Sequence, residues 1–317
     1  MGKVIMKIGY PCINNSIPRN TPSTFRLASY SENRLIQTLK TNLIHLAQIL
    51  KYNVKNNFLF FRISSDLVPF ASHPICKLNW HRTFQSEFEE IGNFINKHNI
   101  RVSMHPDQFV ILNSPNAKTV KNSINELKYH CNILDAMCLD ETAKVQIHVG
   151  GVYKNKQDAT DRFVRIFNSI SKFVDGSIKK RLVIENDDRL YSLMDCLSIN
   201  QETGIPIVFD AFHHELLNND EPLRIALQKA MSTWKMGYDG FPMIDYSSQN
   251  KVDRGENKGR RGRHIETIDL LLFKRFLKET QHLNFDIMLE IKDKEKSALK
   301  ALEVLRTNKY FISIDSG

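Results

Sequence analysis

A chain of 317 residues, 42% hydrophobic and 25% charged, has the make-up of a globular protein, far from disordered or collagenous composition. Its 44 Lys and Arg against 35 Asp and Glu leave a net charge of +9, which favours a polyanionic partner without establishing one. No apolar run reaches the roughly 18 residues of a membrane helix, so a membrane-spanning role is excluded.

The start, Met1-Gly2-Lys3-Val4-Ile5-Met6, reads into a strand and not into a signal or myristoylation sequence. The expected compartment is cytoplasmic or nucleoid-associated, nuclear in a eukaryote, and not secreted. Five scattered cysteines, Cys12, Cys76, Cys131, Cys138 and Cys196, form no C-x-x-C pair and read as reduced thiols.

In chain order, the first strand-like run is Val4 to Gly9, followed by a long loop over residues 10 to 30. Ser31 caps an amphipathic helix running to Leu50, and a second strand covers Phe58 to Ile63. Helix and strand then alternate: Phe84 to His98, Ile100 to Met104, Thr119 to Met137, Val145 to Val149, Asp158 to Val174 and Leu182 to Ile184. A strand at Ile205 to Phe209 precedes the helix Glu221 to Trp234, and Phe241 to Asp245 precedes a second long loop, residues 246 to 264. Ile265 to Gln281, Ile287 to Ile291 and Lys294 to Arg306 complete the pattern. Eight strands, nearly all followed by a helix, predict an α/β chain: one (β/α)8 TIM barrel over residues 1–317, with a doubly wound sheet as rival.

Histidines and carboxylates fall at the C-terminal ends of those strands: His105, His148, Glu185, Asp210 with His213, Asp245 and Glu290. A barrel gathers these ends at one mouth, where sites of this fold sit. A single strand-end histidine is ordinarily a hydrogen-bonded structural residue, but several carboxylates buried together without cations repel one another. The set therefore predicts a multinuclear metal site, since imidazole and carboxylate suit manganese, zinc or iron. His73, in the loop after the second strand, is a further candidate, and His264 sits where a loop gives way to a helix.

The segment 251 to 263 carries six basic residues, among them Lys258, Arg260, Arg261 and Arg263, with two acidic residues and three glycines. Such a loop can bring backbone amides and cations to a phosphate, or be a solvated loop or a nuclear-targeting address.

The motifs Ile8-Gly-Tyr-Pro-Cys-Ile-Asn14, Phe61-Arg-Ile-Ser-Ser65, Pro69-Phe-Ala-Ser-His-Pro74, Met104-His-Pro-Asp-Gln-Phe109 and Leu182-Val-Ile-Glu-Asn-Asp187 occur in that order. With Val208-Phe-Asp-Ala-Phe-His-His214, Ile244-Asp-Tyr-Ser-Ser248 and Met288-Leu-Glu-Ile-Lys-Asp-Lys294, they resemble the ultraviolet damage endonuclease family. The resemblance runs from about residue 8 to residue 293. It implies a barrel related to endonuclease IV that acts on damaged double-stranded DNA. The nick falls immediately 5′ to cyclobutane pyrimidine dimers, 6-4 photoproducts and some abasic sites, leaving 3′-hydroxyl and 5′-phosphate ends.

The resemblance also implies up to three divalent ions, manganese foremost and zinc or magnesium as alternatives. Their ligands would be His73, His105, His148, Glu185, Asp210, His213, Asp245, His264 and Glu290, with Glu185, Glu290 and Asp245 as the catalytic carboxylates. Tyr10, Asn14, Gln108 and Phe109 would probe the lesion.

Two departures stand out. Lysine-bearing relatives have Pro-Lys followed two residues on by His where this chain reads Pro242-Met243-Ile244-Asp245, and Phe109 stands where a tyrosine is common. Residues 243 and 245 share a strand face, so both are expected to point into the barrel. Competing readings are an endonuclease IV-type abasic-site enzyme, a sugar isomerase or epimerase on the same fold, and a damage-binding protein without catalysis.

Overall fold

The computed structural model describes residues 4–18, 22–170, 176–250, 263–308 and 311–313. Its strands are β1 (Val4–Met6), β2 (Ile8–Pro11), β3 (Phe60–Ile63), β4 (Arg101–Met104), β5 (Lys144–His148), β6 (Leu182–Glu185), β7 (Ile207–Asp210), β8 (Met243–Tyr246), β9 (Asp286–Leu289) and β10 (Phe311–Ser313). Strands β2 to β9 pair in parallel in sequence order, and β9 returns to β2 to close the barrel. Closure in sequential order is the (β/α)8 arrangement and excludes the doubly wound rival, whose sheet has open edges.

The first expected strand divides in two. Val4 to Met6 pairs with Phe311 to Ser313 in a separate two-stranded sheet, and the barrel strand begins only at Ile8. Lys7 marks the break, its backbone N–H donating to the Asp286 carboxylate at 2.9 Å.

Helices Glu32–Lys55, Gln85–Lys97, Ala117–Ala136, Lys156–Ile170, Leu223–Met231, Leu270–Glu279 and Glu295–Arg306 match the expected ones to within a few residues at most ends. Residues 171–174 of the expected Asp158 to Val174 helix lie outside the described residues. The helix Leu193–Thr203 is an addition. Its signals are in the sequence: the Asp195 carboxylate accepts from the Ser192 N–H and hydroxyl at 2.8 and 2.9 Å, and Gly204 ends the helix at φ 72°. Among the described residues no helix is long and apolar enough to cross a membrane, and all five cysteines are unpaired.

Parallel strands covered by helices are buried on both faces, so they read as nearly continuous apolar runs. Outward residues such as Tyr10, Phe61, Ile147, Ile184, Phe209 and Ile287 pack in the main core with helix residues such as Leu39, Leu127 and Phe163. Inward residues form layers. Arg101, Lys144 and Asp286 floor the barrel, with Arg101 on Asp286 at 2.8 Å and Lys144 on Asp239 at 2.6 Å. Above lies a separate apolar cluster of Phe60, Val183, Val208, Met243 and Met288 with Trp234. Two residues further along each of those five strand positions stand Arg62, Glu185, Asp210, Asp245 and Glu290. The two-residue alternation thus lifts one arginine and four carboxylates to the mouth on an apolar platform.

Candidate metal centre

At the mouth, three close groups of potential ligand atoms overlap: His105, His148 and Glu185; Glu185, Asp210 and His213; Asp210, Asp245 and Glu290. Glu185 sits at the centre, 3.2 Å from His105 Nε2, 3.7 Å from His148 Nε2 and 3.1 Å from His213 Nδ1. Buried Asn186 ties β6 to β7, exchanging two hydrogen bonds of 3.0 Å with the Asp210 backbone. This pairing fixes the spacing of Glu185 and Asp210.

The histidine orientations test whether a cation fits. His105 Nδ1 lies 2.9 Å from the Pro106 carbonyl, which can only accept, so Nδ1 carries a proton and Nε2 is the nitrogen facing Glu185; burial lowers the imidazole's pKa, but Glu185 more than reverses this and raises it. A lone pair facing a carboxylate oxygen at 3.2 Å requires a proton or a metal ion between them. His264 repeats the device, with Nδ1 2.8 Å from the Glu290 carbonyl and Nε2 3.7 Å from the Glu290 carboxylate. The buried Asp210 Oδ2 has no hydrogen-bond donor. A divalent ion suits this donor set.

The electrostatics are those of a site that draws positive charge. Burial pushes the Glu185 carboxyl up, but His148, His105 and His213 more than reverse this and hold it well below the carboxylate range. Burial drives Asp210 up to about 7, against the pull of His213, and drives Asp245 up to about 7, against the pull of Arg62. Burial also disfavours protonated His213, yet Asp210 and Glu185 outweigh it and raise the imidazole to about 11.

Residues not anticipated from sequence form the floor of the centre. Arg62, 3% exposed, donates from Nη2 to both Asp245 oxygens at 2.8 Å and to Gln146 Oε1 at 2.9 Å, and from Nη1 to Glu290. Gln146 Nε2 in turn donates to Glu185 at 2.7 Å and Asp245 at 2.5 Å. The signal was available: Arg62 lies in Phe61-Arg-Ile-Ser-Ser65, and Gln146 shares the face of His148 two residues on.

Of the other expected site residues, His73 lies apart and His264 sits at the centre in a different local setting. His73 is exposed on its loop and accepts from the Ile75 N–H at 3.1 Å, outside the three close groups. His264 does not open a helix: it bridges antiparallel to Gln249, with the helix beginning at Leu270.

Tyr10 and Asn14 are corrected as lesion-facing residues, for both are fully buried. The Tyr10 ring faces the helices, edge-on to Phe58 and Phe61, and its hydroxyl bonds to Asn53 at 2.5 Å and Asn14 at 2.6 Å. Gly9 precedes it, and a Cβ there would fall 1.7 Å from the Phe60 carbonyl oxygen, so β2 approaches β3 too closely for an inward side chain at that position. Gln108 is exposed, and Phe109 is 60% exposed in the loop after β4. Arg263 is exposed, while Lys258, Arg260 and Arg261 lie outside the described residues.

Fold and centre together define an enzyme class: a (β/α)8 barrel with a histidine–carboxylate centre at the C-terminal mouth. Residues 6–314 match the model of the UV-endonuclease UvdE family. The chain belongs to that family and is a DNA endonuclease of UV-damage repair. It is 37% identical over 302 residues to a UV DNA damage endonuclease of Clostridium perfringens (strain 13 / Type A), covering 95% of this chain and 71% of the relative. The crystal structure of SacUVDE superposes with a TM-score of 0.87 at 44% identity, covering 95% of this chain and 98% of that one. Endonuclease IV from Thermus thermophilus shares the fold, with a TM-score of 0.52 at 13% identity over 82% of this chain and 93% of that one.

Proposed function

We propose that this chain, acting as one domain, nicks double-stranded DNA immediately 5′ to cyclobutane pyrimidine dimers and 6-4 photoproducts, leaving 3′-hydroxyl and 5′-phosphate ends. Abasic sites are a further substrate, manganese is the first choice of metal, and the compartment is the cytoplasm or nucleoid. The observation that carries the reading is the convergence of His105 Nε2, His148 Nε2 and His213 Nδ1 on one buried carboxylate, Glu185. Divalent ions in such a centre polarise phosphoryl oxygens and lower the pKa of a water.

The protein's own residues supply the rest. Glu185 joins two ligand groups, Asp210 adds an oxygen without a donor, and the Pro106 carbonyl keeps His105 in the ligating tautomer. Glu290 and His264 line one side of the mouth, where His264 is bridged to Gln249. Crosslinked pyrimidines stack and pair poorly, so extruding them from the helix is less costly than extruding normal bases. In this reading Phe109 and Gln108, both exposed, fill the gap, exchanging stacking for a bent duplex. Arg263 and the basic residues before it supply phosphate contacts.

The test is cleavage of three duplexes, one with a single thymine dimer, one with an abasic site and one undamaged, with manganese and with chelator. The dimer duplex is expected to be cut at the 5′ phosphodiester only with metal, and Glu185→Gln to lose at least a hundredfold in rate. Equal cutting of damaged and undamaged DNA, or full rate in chelator, overturns the reading.

A further inference from the structure

The side of the centre formed by Asp210, Asp245 and Glu290 already holds a cation belonging to the chain. Both Asp245 oxygens accept from Arg62 Nη2 at 2.8 Å, Asp245 Oδ2 accepts again from Gln146 at 2.5 Å, and Glu290 Oε1 takes Arg62 Nη1. Asp245 is wholly buried, its Oδ2 has spent both lone pairs and its Oδ1 keeps one, so an ion reaching that oxygen would have to sit against the guanidinium that both oxygens share. Displacement has nowhere to lead. Arg62 stands directly above Phe60 of the apolar layer, its Nε already lacks a partner, and a buried guanidinium stripped of its carboxylates is strongly unfavourable.

Charge counting points the same way. Glu185, Asp210, Asp245 and Glu290 bring four negative charges and Arg62 returns one. Two divalent ions make the sum +1, which one scissile phosphodiester cancels, whereas three leave +3 before substrate arrives.

We propose that the Arg62 guanidinium stands in the third cation position of this centre, so that the chain loads two divalent ions sharing Glu185. One lies among His105, His148 and Glu185, the other among Glu185, Asp210 and His213. Asp245 anchors the guanidinium and is not a ligand, and Gln146 holds Asp245 and Glu185 at a fixed separation. Arg62 is a positioning residue: a cation that does not dissociate keeps Glu290 aimed at the mouth whether or not metal is scarce.

This rests on the metal-centre reading above, and the two fail differently. The experiment is metal content per chain after loading with manganese and gel filtration, by elemental analysis and native mass spectrometry. Wild type is expected to retain two ions, Asp245→Asn also two, and Glu185→Gln fewer than one. Arg62→Met, which frees Asp245 and Glu290, is expected to rise to three if circular dichroism shows it folded; a folded variant still at two overturns the substitution of guanidinium for metal. Three ions in wild type, or loss of an ion in Asp245→Asn, overturns the proposal while leaving the metal centre standing. No ion in wild type overturns both. Because Asp245→Asn keeps the side-chain volume, the test does not depend on the Arg62 variant folding.

Discussion

His130 lies fully buried on the helix Ala117–Ala136, with Nδ1 2.8 Å from the Glu126 carbonyl and Nε2 without a partner. Burial holds its pKa down to about 4, so the folded chain keeps the ring neutral where the unfolded chain protonates it. Stability from this residue is intact above pH about 6.5 and falls away as pH drops toward 4, by up to about 3 kcal/mol. Urea midpoints across that range are expected to fall less steeply in His130→Gln than in wild type; parallel curves would mean that the ring reaches water. Sequence legibility at this scale followed strand position. His105, His148, Glu185 and Asp210 were recognisable because ligand-type residues at strand ends of a barrel have one place to go. Arg62 and Gln146 were not, because an arginine or glutamine inside an apolar strand is ambiguous until its carboxylate partners, which come from β6, β8 and β9, are known. Tyr10 misled for the converse reason: strand alternation puts it on the face opposite the mouth residues, and a boundary shifted by a separate β1 hid that parity.

Within an element, the same alternation that raises Asp245 to the mouth sets Met243 one layer below, against Phe60, Val208, Met288 and Trp234. The sequence was right that both residues point inward, and the layer explains what the methionine does: it fills apolar space beneath the ligands. Met243→Lys would set an ammonium between that layer and Asp245, where it competes with Arg62 for the carboxylate. The expected result is a loss of about 2–4 kcal/mol in urea unfolding, in the range for a buried charge with incomplete pairing, together with lower manganese retention after desalting. An unchanged midpoint with unchanged metal content would place the new side chain outside the barrel. Strand centres were legible because parallel strands in a covered barrel are apolar on both faces; strand ends and the helix Leu193–Thr203 were less so, since that helix depends on a short capping pattern more than on a long apolar stripe.

For the whole molecule, stability and metal binding reside in different layers. The barrel is closed by its backbone ladder, and its main core lies between strands and helices, so removal of ions should leave the fold intact and lower Tm by mass action. Binding at a hundredfold excess over Kd adds about 2.7 kcal/mol per site, a shift of a few degrees for a chain of this size. The size of that shift depends on pH in a direction the centre dictates. Asp210, pushed up to about 7 by burial, takes up a proton in the ion-free folded chain as pH falls from 8 to 6. A carboxylate whose folded pKa is raised gains stability as pH drops through it, so the ion-free protein loses part of its repulsion on acidification. Over the same interval protons compete increasingly with metal for the imidazole and carboxylate ligands, weakening the loaded form. Both effects shrink the difference, while groups remote from the centre act equally on the two forms and cancel. The chelator-induced drop in Tm is therefore expected to be larger at pH 8 than at pH 6, with circular dichroism at 20 °C unchanged by chelator at either pH. A drop that is constant with pH, or larger at pH 6, would mean that the ions are not held by Asp210 and these imidazoles.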